Sequence, residues 1–189
     1  MTPAAELKKL MQRPPVLSVA TAESVTGGHA QSLITSVSGA SEYFHGGITA
    51  YTLDQKVKCL GVNRAHARRS NSVSQQVAVE MALGACRLFD ADLGISTTGY
   101  AEPSRAHGIK APMAWWAICH RQGGGSAVII SGCIEVPGHA RVAAQHKIAD
   151  AVLRELVNYV RELHGEREAA RRRARLRQAK GAKKRAKKK

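Results

Sequence analysis

Apolar positions along the 189-residue chain follow two rhythms, one of strand runs and one of helical spacing, and their order predicts the architecture. Thr2 followed by Pro3 is a cap and first-turn pair, so "PAAELKKLMQ" reads as a short helix ending before Pro14. "VLSVATA" is a continuous apolar run of strand length. In "GHAQSLITSV" the positions of Ala30, Leu33, Ile34 and Val37 have helical spacing, and "GGITAYTL" reads as the next strand. Asp54 is placed to cap a short helix over "QKVKCLG", with Gly61 as its stop. The clearest helix is "SQQVAVEMALGACRLF", capped by Ser74, with Val77, Met81, Ala85 and Leu88 on one apolar stripe. "DLGISTTG" is a third strand. After a polar loop come "MAWWAIC" and "SAVIISGCIEV", separated by Gly123 to Gly125, the pattern of an antiparallel hairpin. A long helix from about Ala140 to Leu163 closes the series. Strands alternating with helices, then a hairpin and a final helix, predict an α/β domain with a mixed sheet.

Charge changes this picture at one end only. The formal net charge is +15, but residues 166–189 hold thirteen Lys or Arg against two Glu, so +11 belongs to them. The other 165 residues hold sixteen basic and twelve acidic side chains, a net of +4. The chain therefore divides into a nearly balanced globular domain, residues 1–165, and a polybasic tail, residues 166–189. The tail is rich in Ala and other helix formers up to Gly181, and is expected either to stay disordered or to extend the last helix. It is either a solubilising segment or a polycation binding nucleic acid through Arg171–Lys189 without sequence preference. It lacks apolar anchors for a membrane surface, and the apolar runs of the domain are too short to span a bilayer. Lys8 and Lys9 are followed by no signal-peptide pattern. Cys59, Cys86, Cys119 and Cys133 show no CxxC and no Cys/His ligand spacing, which argues against a structural zinc site. Three of them lie in apolar periodic segments and are expected to be buried, reduced thiols, so a cytoplasmic location is expected.

The chemistry concentrates in "ATAESVTGGHA", residues 20–30, where a strand runs into a helix. Glu23, Ser24, Thr26, Gly27 and Gly28 meet there, more polar groups than a plain turn requires. Three uses fit them. The paired glycines can expose backbone N–H groups at a helix start as an anion cradle. Ser24 can be a nucleophile beside an oxyanion hole. Or Thr26 simply caps the helix, and the glycines permit a tight turn. A P-loop is excluded because no Lys follows the glycines, and neither GxSxG nor GxGxxG is present. No histidine stands in a recognisable arrangement with an acid, so a serine nucleophile would need another base. Lys56 can serve if burial lowers its pKa, with the Tyr51 hydroxyl between the two relaying a proton or holding the geometry. Thr97 to Gly99 also end a strand and are expected to face the same cleft.

"TAESVTGG", "SGASEYFHGGITAYTLDQKVKCLGV", "SVSQQVAVEMALGA" and "STTGYAEP" occur in the order and spacing of one family. They resemble the C-terminal domain of the competence/damage-inducible protein CinA, which also exists as stand-alone nicotinamide-nucleotide amidohydrolases. The likeness runs from about Leu7 to Val160 and thins after Pro103. It implies a three-layer α/β/α sandwich, often a homodimer, that hydrolyses the carboxamide of nicotinamide mononucleotide to the acid and ammonia with no metal or cofactor. The serine of the family's "ESCTGG" falls on Ser24, and the Tyr and Lys of its "YSNEAK" fall on Tyr51 and Lys56. The resemblance makes Ser24 the nucleophile and Lys56 and Tyr51 the proton handlers. Thr26, Gly27, Gly28, Thr98 and Gly99 would then contact the nucleotide substrate.

Several positions depart from the family. Val25 replaces a cysteine, and Asn71 replaces the glycine before "VS". "TGIAGP" becomes "TGYAEP", so Glu102 adds a negative charge beside the cleft, and "KPVGTV" is matched by "APMAWW". "GDR…VR" becomes "GHARVAAQ", with His139 and Ala140 for the acid and arginine and Ala144 for a later arginine. Arg105, Lys110 or Arg141 can compensate if the fold brings one of them to the cleft. These losses open the alternative of a weakened family member acting as a nucleic-acid-binding protein through its tail.

Overall fold

The computed structural model describes residues 1–122 and 125–186, the end of the last helix largely by its backbone. Gly123 and Gly124 of the expected hairpin turn, and Lys187–Lys189 of the tail, lie outside the described residues. A five-stranded sheet runs in the order β2-β1-β3-β4-β5. Its strands are β1 (Val19–Glu23), β2 (Phe44–Thr49), β3 (Leu93–Tyr100), β4 (Met113–Arg121) and β5 (Ala127–Glu135). β1 pairs in parallel with both β2 and β3, whereas β3, β4 and β5 form an antiparallel meander. The sheet is mixed, as the order of rhythms predicts.

Alternation along the strands feeds two apolar layers. Val19, Leu93, Ile95 and Ile118 face α1 (Pro3–Met11), α2 (His29–Thr35) and α6 (Arg141–Ala186). Ala20 and Ala22 face the opposite layer of α3 (Leu53–Leu60), α4 (Arg64–Arg69) and α5 (Gln75–Leu88). Helices on both faces make the α/β/α sandwich. Gly94 and Gly84 let α5 lie close to its neighbours, since a Cβ on Gly94 would strike the Ala82 carbonyl and one on Gly84 the Leu60 carbonyl.

Several local expectations need correction. β2 stops at Thr49 and the chain turns over Ala50–Thr52, so "GGITAYTL" is a strand only at its start. The cap of α3 is Thr52, whose hydroxyl accepts from the Gln55 N–H at 3.4 Å; Asp54 pairs with Arg64 at 2.5 Å instead. Leu88 is 47% exposed, because α5 buries Ala78, Ala82 and Cys86 beside Val77, Met81 and Ala85 and turns its last residue outward. α4 was not apparent from periodicity; its signal is the Asn63 side chain, which accepts from the His66 N–H at 2.9 Å. Only Cys86 and Cys119 are buried. Cys133 is exposed because β5 is an edge strand with an incompletely covered face, and Cys59 is half-buried. Finally, α6 does not end near Leu163; its backbone stays helical through Ala186.

Candidate active site

The parallel strands β1 and β2 and their neighbour β3 all end on one side of the sheet, where folds of this kind gather their functional loops. A cavity of about 410 Å³ opens there, lined by Ser24, Tyr51, Lys56, Thr98, Gly99, Glu102 and Arg141 among others. Ser24 leaves β1 directly into the wall of the cavity. The turn after β2 returns α3 toward it, so that Lys56, one turn into the helix, reaches the same point. Lys56 Nζ lies 2.8 Å from Ser24 Oγ, and it donates to the carbonyls of Ala50 at 2.9 Å and Tyr51 at 3.1 Å. Only 1% of Lys56 is exposed, and burial pushes its pKa down from the usual 10.5 to about 8. A neutral amine has two N–H groups and one lone pair. With both N–H groups held by the two carbonyls, the lone pair is left for the Ser24 hydroxyl.

Glu23, the residue before Ser24, has a task that its residue type alone does not reveal. Its buried carboxylate accepts from the N–H groups of Gly28 at 2.9 Å, Ala30 at 3.1 Å and Gln31 at 2.8 Å, and from Thr26 Oγ1 at 2.6 Å. The start of α2 therefore binds an anion, but the anion belongs to the chain itself. Thr26 is fully buried, within 2.7 Å of Thr97 Oγ1, and does not cap α2; the cap residue is Gly28, at φ 102°. The N–H of Gly27 goes to the Ser24 carbonyl at 3.1 Å. Thr26, Gly27 and Gly28 thus shape the turn that presents Ser24 and are not among the residues lining the cavity. Thr98 and Gly99 do line it. Thr98 Oγ1 donates to the Ser72 carbonyl at 2.7 Å, and a Cβ on Gly99 would collide with the Met113 carbonyl.

Tyr51 lines the cavity but is 54% exposed, and its hydroxyl does not stand between serine and lysine. The two touch directly, and the Tyr51 hydroxyl instead accepts from Arg141 Nη2 at 3.0 Å. Arg141 also donates from Nη1 to Glu102 at 2.8 Å, so the negative charge that Glu102 adds at the cleft is paired with one of the three cations able to compensate for the missing arginines. Across the mouth, Asn71 Nδ2 donates to the Tyr100 hydroxyl at 2.8 Å and lies 3.1 Å from His107 Nε2. Asn71 and Ser72 have φ of 48° and 60°, which explains why a position occupied by glycine in the resembling motif accepts asparagine, the residue that best tolerates that region after glycine.

The family model of the CinA C-terminal domain matches residues 3–160. The chain belongs to the CinA C-terminal domain family. It is 39% identical over 151 residues to a CinA-like protein of Chlorobium limicola, a match covering 79% of this chain and 35% of that protein. A CinA-like protein of a Picosynechococcus species is 54% identical over 86 residues, 46% of this chain and 20% of that one. The chain thus spans about a third or less of the length of these two curated relatives. Among solved structures, a CinA superfamily protein from Enterobacter cloacae superposes with a TM-score of 0.74 at 27% identity, covering 85% of this chain and 93% of that one. A competence or damage-inducible protein from Enterobacter asburiae gives 0.74 at 24% identity and shows the fold alone. The α/β architecture and the CinA family resemblance are therefore both established. Among the described residues, no group of three or more His, Cys, Asp or Glu is arranged to hold a metal ion, and no helix is long and apolar enough to cross a membrane.

Proposed function

We propose that this CinA-family domain is a cytoplasmic amidohydrolase that hydrolyses a primary carboxamide, that of nicotinamide mononucleotide or a related amide, with Ser24 as nucleophile and Lys56 as general base. The observation that carries the reading is the 2.8 Å contact between Ser24 Oγ and a buried lysine amine whose N–H groups are held by two carbonyls. Lys56 takes the hydroxyl proton as Ser24 Oγ attacks the amide carbon. Val25, beside Ser24 on the cavity wall, supplies a backbone N–H for the oxyanion, because those of Gly27 and Gly28 are committed elsewhere. Collapse of the tetrahedral intermediate transfers the proton from Lys56 to the leaving nitrogen, which departs as ammonia. Water, deprotonated by the same amine, then releases the acid and restores Ser24. Tyr51 acts in this scheme through Arg141, as a wall of the site and not as a relay.

The test is ammonia release from nicotinamide mononucleotide and related carboxamides by the full chain. Activity is expected in the wild type and lost in Ser24→Ala. A wild type silent on all of them, or a Ser24→Ala variant as active as wild type, overturns the reading.

A further inference from the structure

We infer that this site prefers a carboxamide that carries no phosphate, an inference that rests on the amidase reading of the same cavity. Two cations line the cavity, Lys56 and Arg141, and one anion, Glu102. Neither cation is unpartnered. Lys56 is held by Ser24 and the carbonyls of Ala50 and Tyr51. Arg141 spends one nitrogen on Glu102 and another on the Tyr51 hydroxyl. The amide donors of Asn71 are engaged by Tyr100 and His107, and Ser104 Oγ lies 3.0 Å from His107 Nδ1. The side chains of the mouth are therefore linked to one another, and its one guanidinium already has a carboxylate partner. An incoming phosphate would have to share the Arg141 guanidinium with Glu102 and would then lie against that carboxylate. A pyridinium carboxamide on a bare ribose meets no such conflict: its ring is cationic, and the cavity offers Glu102 and the aromatic side chains of Tyr51 and Tyr100.

Nicotinamide riboside and nicotinamide mononucleotide share ring, amide and ribose and differ only in the phosphate, so they isolate this effect. With the full chain, kcat/KM for ammonia release is expected to favour the riboside by about tenfold or more. Glu102→Gln is expected to shrink that ratio by raising the value for the mononucleotide. Equal or better turnover of the mononucleotide by wild type overturns the substrate inference and leaves the amidase reading intact. A ratio unmoved by Glu102→Gln overturns the role given to the ion pair. Ammonia from neither compound overturns this inference, and silence on the wider set of carboxamides removes the reading beneath it as well.

Independently of the cavity, we infer that the continuation of α6 binds the phosphate backbone of duplex nucleic acid. The root of this segment is fixed to α1 and the segment after it: His164 Nε2 lies 3.0 Å from the Leu10 carbonyl, Arg161 pairs with Glu6 at 2.5 Å, and Arg13 pairs with Glu168 at 2.5 Å. Beyond this root the helix backbone runs on to Ala186. At 1.5 Å per residue, the stretch after Gly165 is a rod of about 30 Å, close to one turn of duplex. Residues 166–189 carry +11 and include no aromatic side chain, and Leu176 is their one large apolar residue. Stacking on single-stranded bases and insertion into lipid both lack the side chains they need, whereas phosphate neutralisation does not.

The experiment is anisotropy titration of a mixed-sequence DNA duplex with the full chain over a range of salt concentrations. Affinity is expected to fall steeply with salt. In Arg171→Gln/Arg172→Gln/Arg173→Gln the slope of log K against log salt is expected to shrink by up to about 2.7. Absence of binding at low salt, an unchanged slope in the triple variant, or tighter binding to phosphatidylserine vesicles than to duplex overturns the inference.

Discussion

Raising the pH through the titration of Lys56 should switch the site on. The amine must be neutral to accept the Ser24 proton, and its pKa is lowered to about 8 from an ordinary 10.5 by burial. At pH 7 about one molecule in eleven holds the neutral amine, and at pH 9 about ten in eleven, so kcat/KM should rise about tenfold between them. The assay is initial ammonia release at sub-saturating substrate. The same group leaves a mark on stability whose sign is fixed. The folded pKa lies below the unfolded one, so the unfolded chain binds the extra proton between pH 8 and 10.5 and stability rises with pH across that window. The shift of 2.5 units makes the buried cation cost about 3 kcal/mol below pH 8, of which about 2.5 is relieved between pH 7 and pH 10. Tyr and Cys groups titrate in the same range, so the quantity to measure is the difference between wild type and Lys56→Met in urea unfolding at the two pH values. Met fills the space and does not titrate, and the variant should be inactive throughout. A flat rate profile from pH 7 to 9, a rising limb near 10.5, or a wild-type-minus-variant stability difference independent of pH would refute the assignment of Lys56 as base.

Three further outcomes follow from the same geometry. Glu23→Ala removes the acceptor of three backbone N–H groups and one hydroxyl, and should lower the unfolding free energy by at least about 3 kcal/mol in urea titration; a loss below about 1 kcal/mol would show that water replaces the carboxylate. Gly99→Ala puts a Cβ against the Met113 carbonyl at the cavity wall and should cost about 1–3 kcal/mol along with activity; wild-type stability and turnover would mean the strands can part there. A thiol reagent on the folded protein should modify Cys133 and then Cys59, with Cys86 and Cys119 reacting only after denaturation, as read by peptide mass; labelling of the buried pair without unfolding would contradict their placement between α5 and β4.

The fold was legible because strand runs and helical stripes were long enough to declare themselves, and the ends of elements were where reading failed. Asp54 and Thr52 are both good caps two residues apart, and only the turn over Ala50–Thr52 decides between them. That same turn brings Lys56 to Ser24, so residue types could suggest the pair but not make it. Glu23 does leave a signal in the sequence. A helix that begins at Gly28 with no capping side chain of its own must find an acceptor elsewhere, and a carboxylate five residues back is within reach. The separate partners of the two buried groups also bear on the proposed role of Lys56 as a base. Had the Glu23 carboxylate faced Lys56, the opposite charge would have held the ammonium protonated and raised its pKa. Instead, α2 occupies that carboxylate with three N–H groups, and Lys56 is left with carbonyls and a hydroxyl as its partners. Burial then acts on its pKa unopposed. In the proposed reaction the glycines of the motif would therefore serve indirectly: they let a helix start close enough to hold Glu23 with backbone N–H groups, and Lys56 keeps uncharged partners.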